Sequence, residues 1–372
     1  MPSDLPYLAT YSSVQPYYVL GGQLPMAVST PGLASPILTW ETVAQQNIGI
    51  DIGLFGNKLN VTLDIYRRNT KNMLTKSETL PAIMGTAEPQ MNAGDLRTIG
   101  FDLTIDWRQT IEAVSYGVTL LLSDNTSEIT KFSNPQGLLS NYYVGQKVGE
   151  IWGLETSGFF KTDAEAQSLD QTQISGRKRF AGDIYFNDLN GDGKITRGTQ
   201  TLNDHGDMKV IGNNTPRYSF GIKPYISWKG FDFVAIIQGV AKRDTWLTTD
   251  YFLTGYVDEW MGISKVVTDY WTPENTDAYF PAPVFRVGTD VTTVQSHFLQ
   301  NSAYIRLKQL TVGYTIPNIL TKKIDIEKIR FYFSGNNLWT ATKMLKVVDP
   351  EMITPAGYPV SSTVSFGMNI DF

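Results

Sequence analysis

Apolar and polar side chains alternate through stretches of about ten residues, the period of a strand whose two faces meet different surroundings. Residues 47–55 set Ile48, Ile50, Ile52 and Leu54 against Asn47, Gly49, Asp51 and Gly53. In 59–68, Leu59, Val61, Leu63 and Ile65 oppose Asn60, Thr62, Asp64 and Tyr66. Residues 99–108 place Ile99, Phe101, Leu103, Ile105 and Trp107 opposite Gly100, Asp102, Thr104, Asp106 and Arg108. The same pattern runs through 218–228 (Tyr218, Phe220, Ile222, Ile226, Trp228) and 363–372 (Val364, Phe366, Met368, Ile370, Phe372). Further strands are expected near 114–124, 231–243, 302–315 and 328–340, nine in all.

Two-sided strands also build soluble sandwiches, and the connections separate the two cases. Tight turns at Gly56-Asn57-Lys58, Gln109–Ala113 and Lys229-Gly230, with a shorter link at 317–327, alternate with long connections. Outer-membrane barrels alternate in this way, with short turns in the periplasm and long loops outside. The expected fold is all-β: an antiparallel transmembrane β-barrel segment of nine strands with long extracellular loops. Its organisation reads as a loop segment at 1–44, strands one to four at 45–131, an extracellular excursion at 132–215, and strands five to nine at 216–372. The final strand runs towards the periplasm and points Phe372 at lipid, where a girdle aromatic belongs. A second protein layer covering Phe366, Ile222 and Phe101 would contradict this reading.

Composition narrows the function classes. Charged residues make up 18% of the chain, against about 25% in soluble proteins. Aromatics reach 12%, as suits a membrane barrel. The absence of cysteine removes disulfide scaffolds and thiolate metal sites. His205 and His297 are the only histidines, which argues against a histidine-based metal or catalytic site. A net charge of −5 argues against a nucleic-acid partner. No apolar run of about 18 residues appears, and Met1-Pro2-Ser3-Asp4 lacks the features of an export signal. The expectation is therefore a piece of a longer exported protein.

One motif resembles chemistry. Asp188-Leu189-Asn190-Gly191-Asp192-Gly193-Lys194-Ile195-Thr196 matches the start of a calcium loop. Asp188, Asn190, Asp192 and Thr196 would supply side-chain oxygens and Lys194 its carbonyl. Thr199 stands where a bidentate Glu is expected, with Asp204 and Asp207 as substitutes further on. The competing reading is a Gly/Asn/Asp turn that binds no ion. Thr162-Asp163-Ala164-Glu165 spells a capped helix start. Asp51, Asp64, Asp102 and Asp106 read as solvated charges on polar strand faces, not as an acid/base pair. Loop aromatics Trp152, Trp246, Tyr251, Tyr256, Trp260 and Trp271 suit either sugar stacking or internal packing. No catalytic signature appears, and no enzyme is expected.

Several patches occur in an order that resembles the C-terminal portion of SusC/RagA-type TonB-dependent outer-membrane transporters of Bacteroidetes. They include Asp64-Ile65-Tyr66-Arg67-Arg68-Asn69-Thr70, Met91-Asn92-Ala93-Gly94, and Gly182-Asp183-Ile184 running into the calcium-like spelling. Pro216-Arg217-Tyr218-Ser219-Phe220-Gly221, Tyr304-Ile305-Arg306-Leu307-Lys308, Asn336-Asn337-Leu338-Trp339-Thr340 and Asp349-Pro350-Glu351 follow. The resemblance implies a plugged barrel of about 22 strands and an outer-membrane location. It also implies a SusD-like lipoprotein lid, energy delivered through the TonB complex, and oligosaccharide or, less often, peptide cargo. A siderophore or vitamin receptor of similar build, a passive porin and a secreted soluble β-protein remain as alternatives.

Overall fold

The computed structural model describes residues 11, 13–29, 31–35, 37–76, 83, 85, 88–247, 265–283, 289–346, 348–352 and 360–372. Nine strands form one sheet: β1 (Thr42–Leu54), β2 (Leu59–Lys76), β3 (Gln90–Ile111), β4 (Val114–Lys131), β5 (Arg217–Trp228), β6 (Phe231–Lys242), β7 (Tyr304–Thr315), β8 (Lys328–Thr342) and β9 (Thr363–Asp371). Each pairs with its sequence neighbour, giving a meander from β1 to β9. The pairings from β4 onwards are antiparallel. Of the two two-residue turns, Glu112-Ala113 and Lys229-Gly230, the second puts both residues at positive φ (45° and 88°), as a hairpin matched to strand twist requires.

The expected strands are all present; β1 begins five residues earlier than expected, and β2, β3 and β4 run further still. β3 has 22 residues, or about 70 Å of extended chain, whereas a tilted membrane strand needs about 9–11 residues. The added lengths, 69–76, 90–98 and 125–131, carry few apolar residues and no alternation. Both of their faces suit water, so period two could not reveal them. The connection between β2 and β3 shrinks to 77–89 as a result.

The chain divides into two compact units. The first comprises residues 1–46, 67–99 and 126–147. Within it, Ser13–Val14 pairs with Ala27–Val28. Asn92 pins the approach to β1, accepting from the Thr39 amide at 2.8 Å and donating to the Thr39 carbonyl at 2.9 Å. Arg97 and Glu128 form an ion pair at 3.0 Å.

The second unit comprises 47–66, 100–125 and 148–372. One sheet face carries rows of apolar side chains joined strand to strand. Trp228, Phe231, Tyr314, Phe331 and Met368 are successive cross-strand partners beside the short turns. The next row is Ile226, Phe233, Val312, Phe333 and Phe366. Phe366 is 81% exposed, and Trp228, Phe231 and Phe331 are about half exposed. Phe101 and Ile222 are only partly buried. Such rows, uncovered by protein and with aromatics next to the turns, suit hydrocarbon with an interfacial girdle.

The buried hydrophobic cluster lies elsewhere. Leu154, Ile174, Ile184, Phe186 and Ile195 come from the β4–β5 connection, and Leu247, Val267, Phe280, Val291 and Phe298 from β6–β7. Met344 comes from β8–β9. Every member sits in a long connection and none in a strand of the nine-stranded sheet. A soluble protein buries the apolar face of its sheet; here the loops supply the dry core.

Candidate functional site

The loop core is built from short pairings and caps. Glu150–Leu154 pairs with Met208–Asn213, Thr156–Phe159 with Ile184–Phe186, and Asp244–Trp246 with Leu299–Asn301. The capped helix forms at Asp163–Gln167, with the Thr162 hydroxyl accepting from the Glu165 amide at 3.2 Å. An ionic seam joins two connections: Arg177 grips Asp183 through both carboxylate oxygens, and Arg179 pairs with Asp290. Burial pushes the Arg179 guanidinium down to about 10. His297 packs among Phe159, Tyr279 and Phe298. Burial holds its imidazole below the ordinary histidine value, outweighing the bond between Nε2 and the Tyr279 carbonyl.

The calcium-like residues share one exposed turn, and that turn is closed by its own atoms. Asp188 accepts from the Gly191 and Gly193 amides at 2.7 and 2.8 Å. Those amides, Gly193 foremost, hold its carboxyl below the usual range. Asn190 accepts from the Asp192 amide, and Asp192 from that of Lys194, at 3.0 and 2.8 Å. The distant carboxylates also serve the backbone. Fully buried Asp207 accepts from the Leu189 and Thr196 amides, closing the loop at both ends, and Asp204 accepts from Thr199. Among the described residues no three His, Cys, Asp or Glu side chains gather as a metal site.

The other singled-out residues are placed plainly. Asp51 accepts from the Thr62 hydroxyl, Asp64 from the Asn47 amide, and Asp106 from Thr119 and Arg108. Trp152 lies against His205, Trp246 packs on the loop core and Trp271 is buried. Trp152 and Trp246 are only partly buried, so internal packing accounts for part of each ring. Tyr251, Tyr256 and Trp260 lie outside the described residues.

Three separate sequence patches meet at one place that their spelling did not disclose. Gln238 of β6, Arg306 of β7 and Thr340 of β8 are direct cross-strand partners, so they share one face of the sheet. By strand parity this face is opposite Phe231. Both ladders shift register here, between Ile236 and Ile237 on one side and Leu307 and Gln309 on the other, which leaves Lys308 at the bulge. Bulges re-aim side chains next to functional sites.

Arg306 is 2% exposed and uses its whole fork. Nε donates to the Thr340 hydroxyl at 2.8 Å, Nη2 to Asp349 at 2.5 Å, and Nη1 to Glu351. Lys308 Nζ reaches Glu351 at 3.2 Å, and the Gln238 amide donates to it at 2.8 Å. Asp349 and Glu351 belong to the β8–β9 connection, which also places Met344 in the loop core. One loop thus joins that core to the sheet wall.

With the geometry described, likeness to known proteins can be weighed. Residues 2–338 match the family described as TonB dependent receptor-like, beta-barrel. The chain belongs to that family. Its members are non-enzymatic outer-membrane β-barrels, which sets the location of this sheet and the medium facing its apolar rows. The chain is 26% identical to TonB-dependent receptor P3 of Formosa agariphila, over 100% of itself and 38% of that protein. It is 23% identical to the TonB-dependent receptor SusC of Bacteroides thetaiotaomicron, over 99% of itself and 36% of SusC. The solved RagAB peptide transporter shares the fold, with a TM-score of 0.75 at 24% identity, covering 99% of this chain and 39% of that one. This TonB-dependent receptor chain therefore spans less than two-fifths of the length of those relatives.

Three outcomes are expected. Arg306→Ala takes the guanidinium from two mostly buried carboxylates, leaving Glu351 with Lys308 and Asp349 without its arginine, and lowers unfolding stability by about 3 kcal/mol. Arg330→Ala, whose Asp232 partner is 31% exposed, costs about 1 kcal/mol or less; denaturant titration of the folded receptor compares the two. A depressed histidine adds stability above its unfolded value that is lost as pH falls. Hydrogen exchange in 265–301 should therefore quicken below about pH 6.5, and His297→Gln should remove that pH dependence. Because the Asp188 loop caps itself, calcium addition or chelation should leave protease resistance across 184–213 unchanged. Protection that follows calcium and vanishes in Asp188→Asn would instead establish a bound cation.

Proposed function

We propose that the intact protein is an active outer-membrane importer of nutrients, energised through the TonB complex and working with a SusD-like surface lipoprotein. The observation that carries this reading is the inversion of apolar surface. The sheet turns bare hydrophobic rows outward, and the connections on the opposite side from the tight turns fold into a loop domain with its own core. Such a loop domain suits a surface that meets ligand and partner, and the wall carries charges on its other face, as a water-filled interior would. Membership of the receptor family and similarity to SusC support the same reading.

Oligosaccharides are the first cargo class, in line with the resemblance to SusC. Peptides are the second. They are favoured by the fold shared with a peptide transporter and by the side-chain carboxylates held at Arg306 and Lys308.

The test is uptake of fluorescent oligosaccharides and peptides by cells that carry the full-length protein, with and without TonB. Accumulation of one class that needs both the receptor and TonB is the expected result. Uptake that persists without TonB would make the protein a passive channel, and recovery of the protein in a detergent-free soluble fraction would remove it from the membrane.

A further inference from the structure

Several arginines of this sheet find their counter-ion within it, and Arg306 does not. Arg217 of β5 pairs with Asp124 of the adjoining β4, and Arg330 of β8 pairs with Asp232 of β6. In both cases the counter-ion is part of the wall. Among the described residues, Arg306 and Lys308 form ion pairs only with Asp349 and Glu351, which the loop brings from outside the sheet. With the loop lifted away, the wall would present a guanidinium fork and an ammonium with no carboxylate of its own.

What the wall recognises is equally telling. Every bond that the cluster makes to Asp349 and Glu351 ends on a side-chain carboxylate oxygen. The fork, the ammonium and the Gln238 amide therefore read carboxylate groups, a chemistry that any ligand with two nearby carboxylates shares. A fork of this kind is suited to planar, two-point recognition of such groups. Pro350 stands between the two acids, so they are offered from a stiffened tripeptide.

We propose that Arg306, Lys308 and Gln238 form a dicarboxylate-binding site of the inner wall, filled in this structure by the receptor's own Asp349-Pro350-Glu351 as a tethered competitor. The inference rests on the reading that this face lines an aqueous interior. Removing the loop alone would leave a buried positive charge unpaired, which is strongly unfavourable. The loop therefore leaves by exchange: an acidic peptide or dicarboxylate takes the cations as Asp349 and Glu351 depart. Because Met344 of the same loop sits in the loop core, that exchange also loosens the core's tie to the wall.

The experiment uses full-length receptor purified in detergent, with succinate and the tripeptide Asp-Pro-Glu as probes and Asn-Pro-Gln as the uncharged control. The Asp349→Asn/Glu351→Gln variant should bind the acidic probes at least ten-fold more tightly than wild type by calorimetry, because the competitor is gone. Arg306→Lys added to that variant should lose most of the gain, since an ammonium lacks the fork. In wild type, excess acidic tripeptide should quicken tryptic cleavage after the exposed Lys346 several-fold, and Asn-Pro-Gln should not. Equal affinity in the folded double variant and wild type would overturn the proposal. So would equal action of the charged and uncharged peptides. If the double variant does not fold, the wild-type cleavage assay decides alone: no change with acidic tripeptide rejects the site. Binding in detergent needs no TonB, so a receptor that binds the probes yet imports nothing would refute the transport reading and leave this site standing.

Discussion

Hydrocarbon offers no partner to a backbone amide or carbonyl, and each one left bare there costs several kcal/mol. The sheet's ladders answer that demand between neighbours, from β1 through to β9. Among the described residues, the two outermost strands each keep one edge unpaired. β1 is exposed along its whole length, and β9 along most of its own. Relatives more than twice as long supply the comparison that matters: in a barrel every such edge is met by another strand. Once pairing is satisfied by neighbours, side chains are free to divide between two media, and the aromatic rows at Trp228–Met368 and Ile226–Phe366 are the outcome.

Apolar surface then has two destinations. On the strands it faces outward, where lipid tails replace a protein core. In the long connections no lipid is available, so apolar side chains must find each other. Leu154, Phe186, Phe280 and Phe298 do so across connections remote in sequence. Ion pairs such as Arg179–Asp290 and the Arg306 clamp fix how the connections meet one another and the wall.

The strands were legible because period two records the two media directly: all nine expected strands exist. The added lengths of β2, β3 and β4 were not, because 69–76, 90–98 and 125–131 carry few apolar residues and lose the alternation. The capped helix at Thr162 was visible because capping is local in sequence. The loop core was not, since its contacts join residues more than a hundred positions apart. The calcium-like spelling shows a different limit: Asp and Asn beside Gly suit an ion cage and a self-capped turn alike, so the spelling by itself does not choose between them. The Arg306 cluster was present in the sequence as three quoted patches, yet their meeting depends on a bulge at Lys308 that no local pattern announces.

The shared ownership of the loop core also dictates an order of assembly. Met344 follows β8, so the cluster formed by residues 154 to 298 lacks its last member until eight of these strands have been laid down. Contacts so distant along the chain are slow to form. The loop core therefore cannot close until the chain has passed β8, which ties its completion to the strands made before it.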